Sequence, residues 1–180
     1  MRVFQICLFV SLSMFLAELA IGNGQLQPRK LLDGKITMRV PNGFNFLTES
    51  AKREKYPGAN APAYVLSNFD GTINIAFDHK QIAMKPEEVR KLEQPMRAQF
   101  SSAKINSAGV RKLNGVEFLI FDIETPGPDG AIRNVMAFTS LESRMLVVSY
   151  NCLPSRDAKC GELGARLIES IVLAPKPAAK

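Results

Sequence analysis

The sequence predicts an α+β domain, a mostly antiparallel sheet with helices packed on it, and three observations carry that prediction. In residues 68–80, Ile73, Ile75 and Phe77 alternate with Thr72, Asn74, Ala76 and Asp78, the two-residue period of a half-buried strand. Asp70-Gly71 just before them is a turn signal, because glycine takes positive φ at little steric cost. Extended residues 63–67 precede the turn, so the two segments form a hairpin onto which later strands can pair. Finally, one long helical pattern is followed by a run of strands and a second helix, which segregates the two kinds of element.

The chain begins with a segment that stands apart. Arg2 is followed by a mostly apolar run to Ala20, and Ala20-Ile21-Gly22 offers the small residues a signal peptidase reads. Residues 1–22 are therefore expected to be a signal peptide, with a retained membrane anchor as the rival reading. Residues 23–33, polar and containing Pro28, read as a flexible leader, residues 34–173 as one globular domain, and residues 174–180 as a disordered tail.

Ile36, Met38 and Val40 give a first strand, the turn 41–43 follows, and Phe44 with Phe46 resumes the apolar phase. Residues 48–56 form a short charged helix with Thr48 or Ser50 near its cap, stopped by Pro57-Gly58. After the hairpin, Pro86 with Glu87 and Glu88 opens the principal helix, where proline is tolerated and carboxylates suit the dipole. Val89, Leu92, Met96 and Phe100 form its buried stripe, and Pro95 is expected to kink or split it near Gln94. Residues 104–112 read as a polar strand and residues 116–124 as a strand apolar on both faces, hence central. Residues 132–139 and 144–152 are the last strands, and Leu163, Leu167, Ile168 and Ile171 mark an amphipathic terminal helix.

This order of elements, with the 68–77 hairpin motif and the Tyr56-Pro57 helix end, resembles small exported bacterial proteins of the PsbP/DcrB-like fold over about residues 34–173. The resemblance implies an α/β/α sandwich used for binding and scaffolding, with no shared catalytic set to carry over.

The chemical inventory is sparse. Removing residues 1–22 takes away one base and one acid, leaving the net charge of +6, with bases clustered at Arg29-Lys30, Lys52-Arg53-Lys55 and Arg111-Lys112. With no tryptophan and no stacking aromatics between those bases, nothing points to nucleic acid. Cys152 and Cys160, the cysteines left after cleavage, are expected to form a structural disulfide, as an exported protein usually pairs its thiols. His79 is the single histidine, so every histidine-dependent triad must run through it, and strand alternation points Asp78 to the opposite face. One histidine and a bridged cysteine pair cannot make a zinc site, and no phosphate loop or other cofactor motif is present.

The expectation is a non-catalytic exported binding or accessory protein, periplasmic or secreted, engaging a protein or envelope partner. Its binding surface is expected at Tyr56, Pro57, Pro62 and Tyr64 with the facing Asp70 and His79; Phe44 and Phe46 could line an apolar cleft there. A second reading is a hydrolase or isomerase using His79. A third is a basic domain resting on an anionic membrane surface.

Overall fold

The computed structural model describes residues 25–58 and 61–175. The expected signal peptide and residues 176–180 of the expected tail lie outside them. The hairpin of β4 (Tyr64–Ser67) and β5 (Ile73–Ala83) sits inside an antiparallel seven-stranded sheet. The other strands are β3 (Asn45–Phe46), β6 (Lys104–Leu113), β7 (Val116–Gly127), β8 (Gly130–Leu141) and β9 (Arg144–Cys152), in the order β3-β4-β5-β9-β8-β7-β6. Ile73, Ile75 and Phe77 face the main core as their alternation requires. Asn74 and Ala76 are buried too, so residues 73–77 of β5 are covered on both faces rather than half-buried. They run between β4 and β9, whereas beyond Phe77 the β4 pairing ends and Gln81, Ile82 and Ala83 are exposed.

β7 divides its apolar residues between two cores. Phe118 and Ile120 enter the main one, whereas Leu119, Phe121 and Ile123 enter a second cluster on the opposite face. Val89, Leu92, Met96 and Phe100 pack into that second cluster. The principal helix is divided, with a 3₁₀ segment at Pro86–Leu92 and α2 at Glu93–Gln99. Pro95 therefore occupies the first turn of α2, where a missing N–H has no intrahelical partner to lose. The proline starts a new helix instead of bending an old one.

Strands β1 (Leu26–Leu31), β2 (Ile36–Pro41) and β10 (Val172–Leu173) form a second sheet in the order β1-β2-β10. The leader expected to be flexible is thus largely a strand: all six residues of β1 pair with β2. Its polar composition misleads because β1 is an edge strand, and an edge tolerates Pro28. Leu31 is buried and Leu26 packs against the main core. This sheet and α3 (Cys160–Glu169) cover one face of the large sheet, and the 3₁₀ segment with α2 covers the other. A disulfide joins Cys152 at the end of β9 to Cys160 at the start of α3, with Cα atoms 6.2 Å apart. At the C-terminal side, the Ala174 amide donates to the Lys35 carbonyl at 2.8 Å, so the first residue of the expected tail is tied down.

Candidate functional site

The main core opens at one end into a cleft of about 520 Å³, between the β1–β2 turn and the passage from β3 to β4. Register builds its wall. Phe46 pairs with Leu66, Leu66 with Ile75, and Tyr64 with Phe77, so Phe46, Tyr64 and Phe77 share one face. Phe77 is buried and forms the floor, while Phe46 is 47% exposed and Tyr64 49% exposed at the mouth. β3 is only two residues long, which leaves these rings uncovered by neighbouring strands. Their centroids lie 6.5 Å apart in an edge-to-face arrangement.

Charged side chains frame the aromatic wall. The Arg29 guanidinium lies 5.1 Å from the Phe46 ring centroid and donates to the Phe44 carbonyl at 2.7 Å. Helix α1 (Glu49–Lys55) is capped by Thr48, whose Oγ1 accepts from the Ala51 amide at 3.2 Å. The cap presents Lys52 to the cleft, where Nζ pairs with Glu49 at 2.9 Å and donates to the Ala63 carbonyl at 2.8 Å. That second bond occupies a carbonyl at the entrance to β4, where an added strand would have to pair. Across the mouth, Leu32, Asp33 and Gly34 all take positive φ, at 50°, 55° and 81°. A leucine in the left-handed region is unusual, and this tight turn is what brings the end of β1 to the rim.

The expected site residues separate. Tyr64 and Phe46 line the cleft, but Phe44 is buried in the main core. Tyr56 is half-buried, its phenol pKa pushed up by burial, and neither it nor Pro57 or Pro62 lines the cleft. Residues 59–60 of that loop lie outside the described residues. Asp70 sits at the tip of the β4–β5 hairpin, where the Thr72 hydroxyl (2.7 Å) and amide (3.1 Å) hold its carboxyl below the usual range. His79 lies far along β5 from that tip. Its Nε2 donates to the Leu141 carbonyl at 2.9 Å and its Nδ1 accepts from Arg144 at 3.1 Å. An arginine can only donate, so the ring's single proton must sit on Nε2. Both nitrogens are committed, and Asp78 is paired with Lys80 instead. Among the described residues, no group of three or more histidine, cysteine or acidic side chains is placed to hold a metal ion. No helix among them is long and apolar enough to cross a membrane.

Sequence reasoning misses the contribution of β1: Lys30, Leu31 and Leu32 supply one wall. The signal for it is Asp33-Gly34, a hairpin dipeptide between apolar Leu31-Leu32 and the strand beginning at Ile36.

No protein-family model matches the chain, and no curated protein matches it by sequence. Solved structures do. PsbP (CyanoP) of the cyanobacterium Synechocystis superposes with a TM-score of 0.56 at 11% identity, over 86% of this chain and 96% of that one. A protein of Bacteroides thetaiotaomicron gives 0.54 at 14% identity, over 87% of this chain and 51% of its own length. LpqN of Mycobacterium tuberculosis, a protein involved in cell envelope biogenesis, gives 0.51 at 13% identity over 84% and 91%. The chain therefore has the PsbP/DcrB-like α+β fold, and the likeness is one of fold.

Proposed function

We propose that this is a non-catalytic exported binding protein that takes its ligand in the cleft beneath Phe46 and Tyr64. The observation that carries the reading is the pair of half-exposed rings set edge to face over the buried Phe77. Aromatic surface left uncovered beside a concave, preformed space of this size is what small-molecule sites share. Export is supported by the signal-like segment 1–22 and by the bridged Cys152–Cys160 pair. A role for His79 in catalysis finds little support, since abstracting a proton would require breaking its bond from Arg144.

The test is a fluorescence titration with the neutral apolar probe N-phenylnaphthylamine. Saturable single-site binding is expected, lost in Tyr64→Ser and Phe46→Ser and retained in His79→Gln. Binding unchanged by both aromatic substitutions would place the site elsewhere.

One observation favours a protein partner as a second reading. Phe69 is fully exposed at the β4–β5 hairpin tip. The turn that presents it is held by Asn68 Oδ1 accepting from the Ile73 amide at 2.9 Å, by Asp70 on Thr72, and by Lys55 on the Gly71 carbonyl. A rigidly displayed aromatic is the usual anchor of a protein contact. Once a partner is in hand, Phe69→Ala should weaken its binding without altering probe binding in the cleft.

A further inference from the structure

We infer that Arg29 is the positioning residue of this site, a strut from β1 that holds the Phe46 ring off the cleft floor; this rests on the cleft being the binding site, as proposed above. The charges lining the cleft balance, Lys30 and Lys52 against Asp33 and Glu49, and so leave no net charge with which to select a ligand. Selection falls to the apolar wall, whose shape depends on how Phe46 is held.

The strand that carries Phe46 holds it poorly. β3 is two residues long and forms the outer edge of the large sheet, so only β4 flanks it. A half-exposed ring in that place is driven to cover the apolar floor at Phe77, which would close the cleft. Arg29 opposes that collapse. Strand alternation puts it on the same face of β1 as Leu31, which is buried and lines the cleft. Its guanidinium lies 5.1 Å from the Phe46 centroid, and its 2.7 Å bond to the Phe44 carbonyl ties it to a residue buried in the main core. The two sheets share no ladder, and among the described residues this is the one hydrogen bond that joins β1 to residues 44–46. Arg29 is not itself in the lining, and no carboxylate among the described residues lies within ion-pair distance of it. Its planar group is committed to the ring and the carbonyl together, a double contact that the compact ammonium of a lysine does not reproduce.

The test reads binding and ring position separately. Arg29→Ala should weaken N-phenylnaphthylamine binding about three- to tenfold, the scale of one cation–π stack. Arg29→Lys should weaken it to a similar extent although it keeps the charge, and it carries the test alone if the alanine variant does not fold. In ligand-free protein labelled with fluorophenylalanine, the fluorine resonance of Phe46, assigned through Phe46→Leu, should shift in both variants. Parent-like affinity in both variants, full rescue by lysine, or weakened binding with an unmoved Phe46 resonance would each overturn the inference while leaving a cleft that binds. If Tyr64→Ser spares probe binding, the cleft reading itself falls and takes this inference with it.

Discussion

Gly164 of α3 rests directly on the ring of Tyr150: a Cβ at that glycine would lie 2.4 Å from Tyr150 Cδ1 and 2.8 Å from Cε1. Tyr150 is fully buried between the large sheet and α3, with no room to retreat. The missing side chain is what lets the helix seat against β8 and β9. Gly164→Ala should therefore destabilise the protein by about 1–3 kcal/mol, the usual cost of overpacking. A urea titration should show the midpoint falling with the slope unchanged. A midpoint equal to that of the parent would mean that α3 is more loosely docked than the geometry requires.

Gly161 makes a parallel case with a polar consequence. A Cβ there would meet the Arg133 guanidinium carbon at 2.2 Å. Arg133 is held on Asp122 through two hydrogen bonds, of 2.9 and 2.6 Å. Gly161→Ala should push the guanidinium off that carboxylate and cost on the order of 1–3 kcal/mol, the range for breaking a partly buried charge-assisted contact. The loss should shrink when Asp122→Asn is already present, because part of it is the same interaction. Strict additivity in that double-mutant cycle would separate the two effects.

Acid should weaken the fold through carboxylates whose pKa values are depressed. Asp70 is lowered by the Thr72 hydroxyl, Glu142 by hydrogen bonding to Lys35, Glu124 by Asn106 and then Lys104, and Glu117 by Arg90. Each binds its proton more weakly when folded than when unfolded. The stability they contribute is thus present above the unfolded carboxylate pKa and lost as pH falls through the lower folded value. Melting temperature should be level near neutrality and decline below about pH 4 to 5, where unfolded carboxylates begin to protonate. Asp70→Asn and Lys35→Met should each flatten that decline slightly, since these groups are exposed and solvent-screened.

The residues explain how much of this was legible in the sequence. The β4–β5 hairpin is readable because Asp70-Gly71 and the Ile73/Ile75/Phe77 alternation specify the same structure locally. β7 is readable as a two-faced strand because Phe118 to Phe121 is apolar without interruption. β1 is not, because an edge strand needs few apolar residues and its partner, β2, supplies most of the buried surface. The cleft is only half legible for the same reason. Phe46 and Tyr64 stand out as aromatics beside turns, but their position opposite Lys30 and Leu31 depends on how two sheets meet. No local pattern encodes that distance. His79 illustrates the reverse: its place at the end of an apolar phase is visible, whereas Leu141 and Arg144, which engage its ring, lie more than sixty residues away.

Alkaline pH should expose Tyr150. Its hydroxyl is buried with no hydrogen-bond partner among the described residues, and burial drives its pKa far above that of a free phenol. The folded chain therefore keeps the proton while the unfolded chain gives it up. The sign is a stability fully present below the unfolded pKa, about 10, and lost as pH rises toward the folded value. Tyrosinate absorbance from this residue should emerge only together with loss of folded circular dichroism. Tyr150→Phe should remove that late step and be neutral or mildly stabilising, because deleting an unpartnered buried hydroxyl removes a desolvation cost. A phenolate that forms at Tyr150 while the fold stays intact would show that solvent reaches the hydroxyl.

The disulfide joins compartment to fold most directly. Cys152 closes β9 on its buried face, and Cys160 opens α3, with the loop between them internally tied by the Arg156 and Asp157 amides on the Leu153 carbonyl. The crosslink fixes the corner at which the chain leaves the sheet and enters the helix whose Leu167 and Ile168 pack in the main core. Only the short segment between the two cysteines is constrained in the unfolded chain, at a sequence separation of 8. The entropic contribution is accordingly modest, about 2 kcal/mol. Cys152→Ala should lower stability by that amount, yet the protein should still fold, because its core is far larger than those of disulfide-dependent miniproteins. Thiol titration of unfolded, unreduced residues 23–180 should find no free cysteine. Two reactive thiols per chain would remove the bridge, and with it the strongest chemical argument that the protein works in an oxidising compartment.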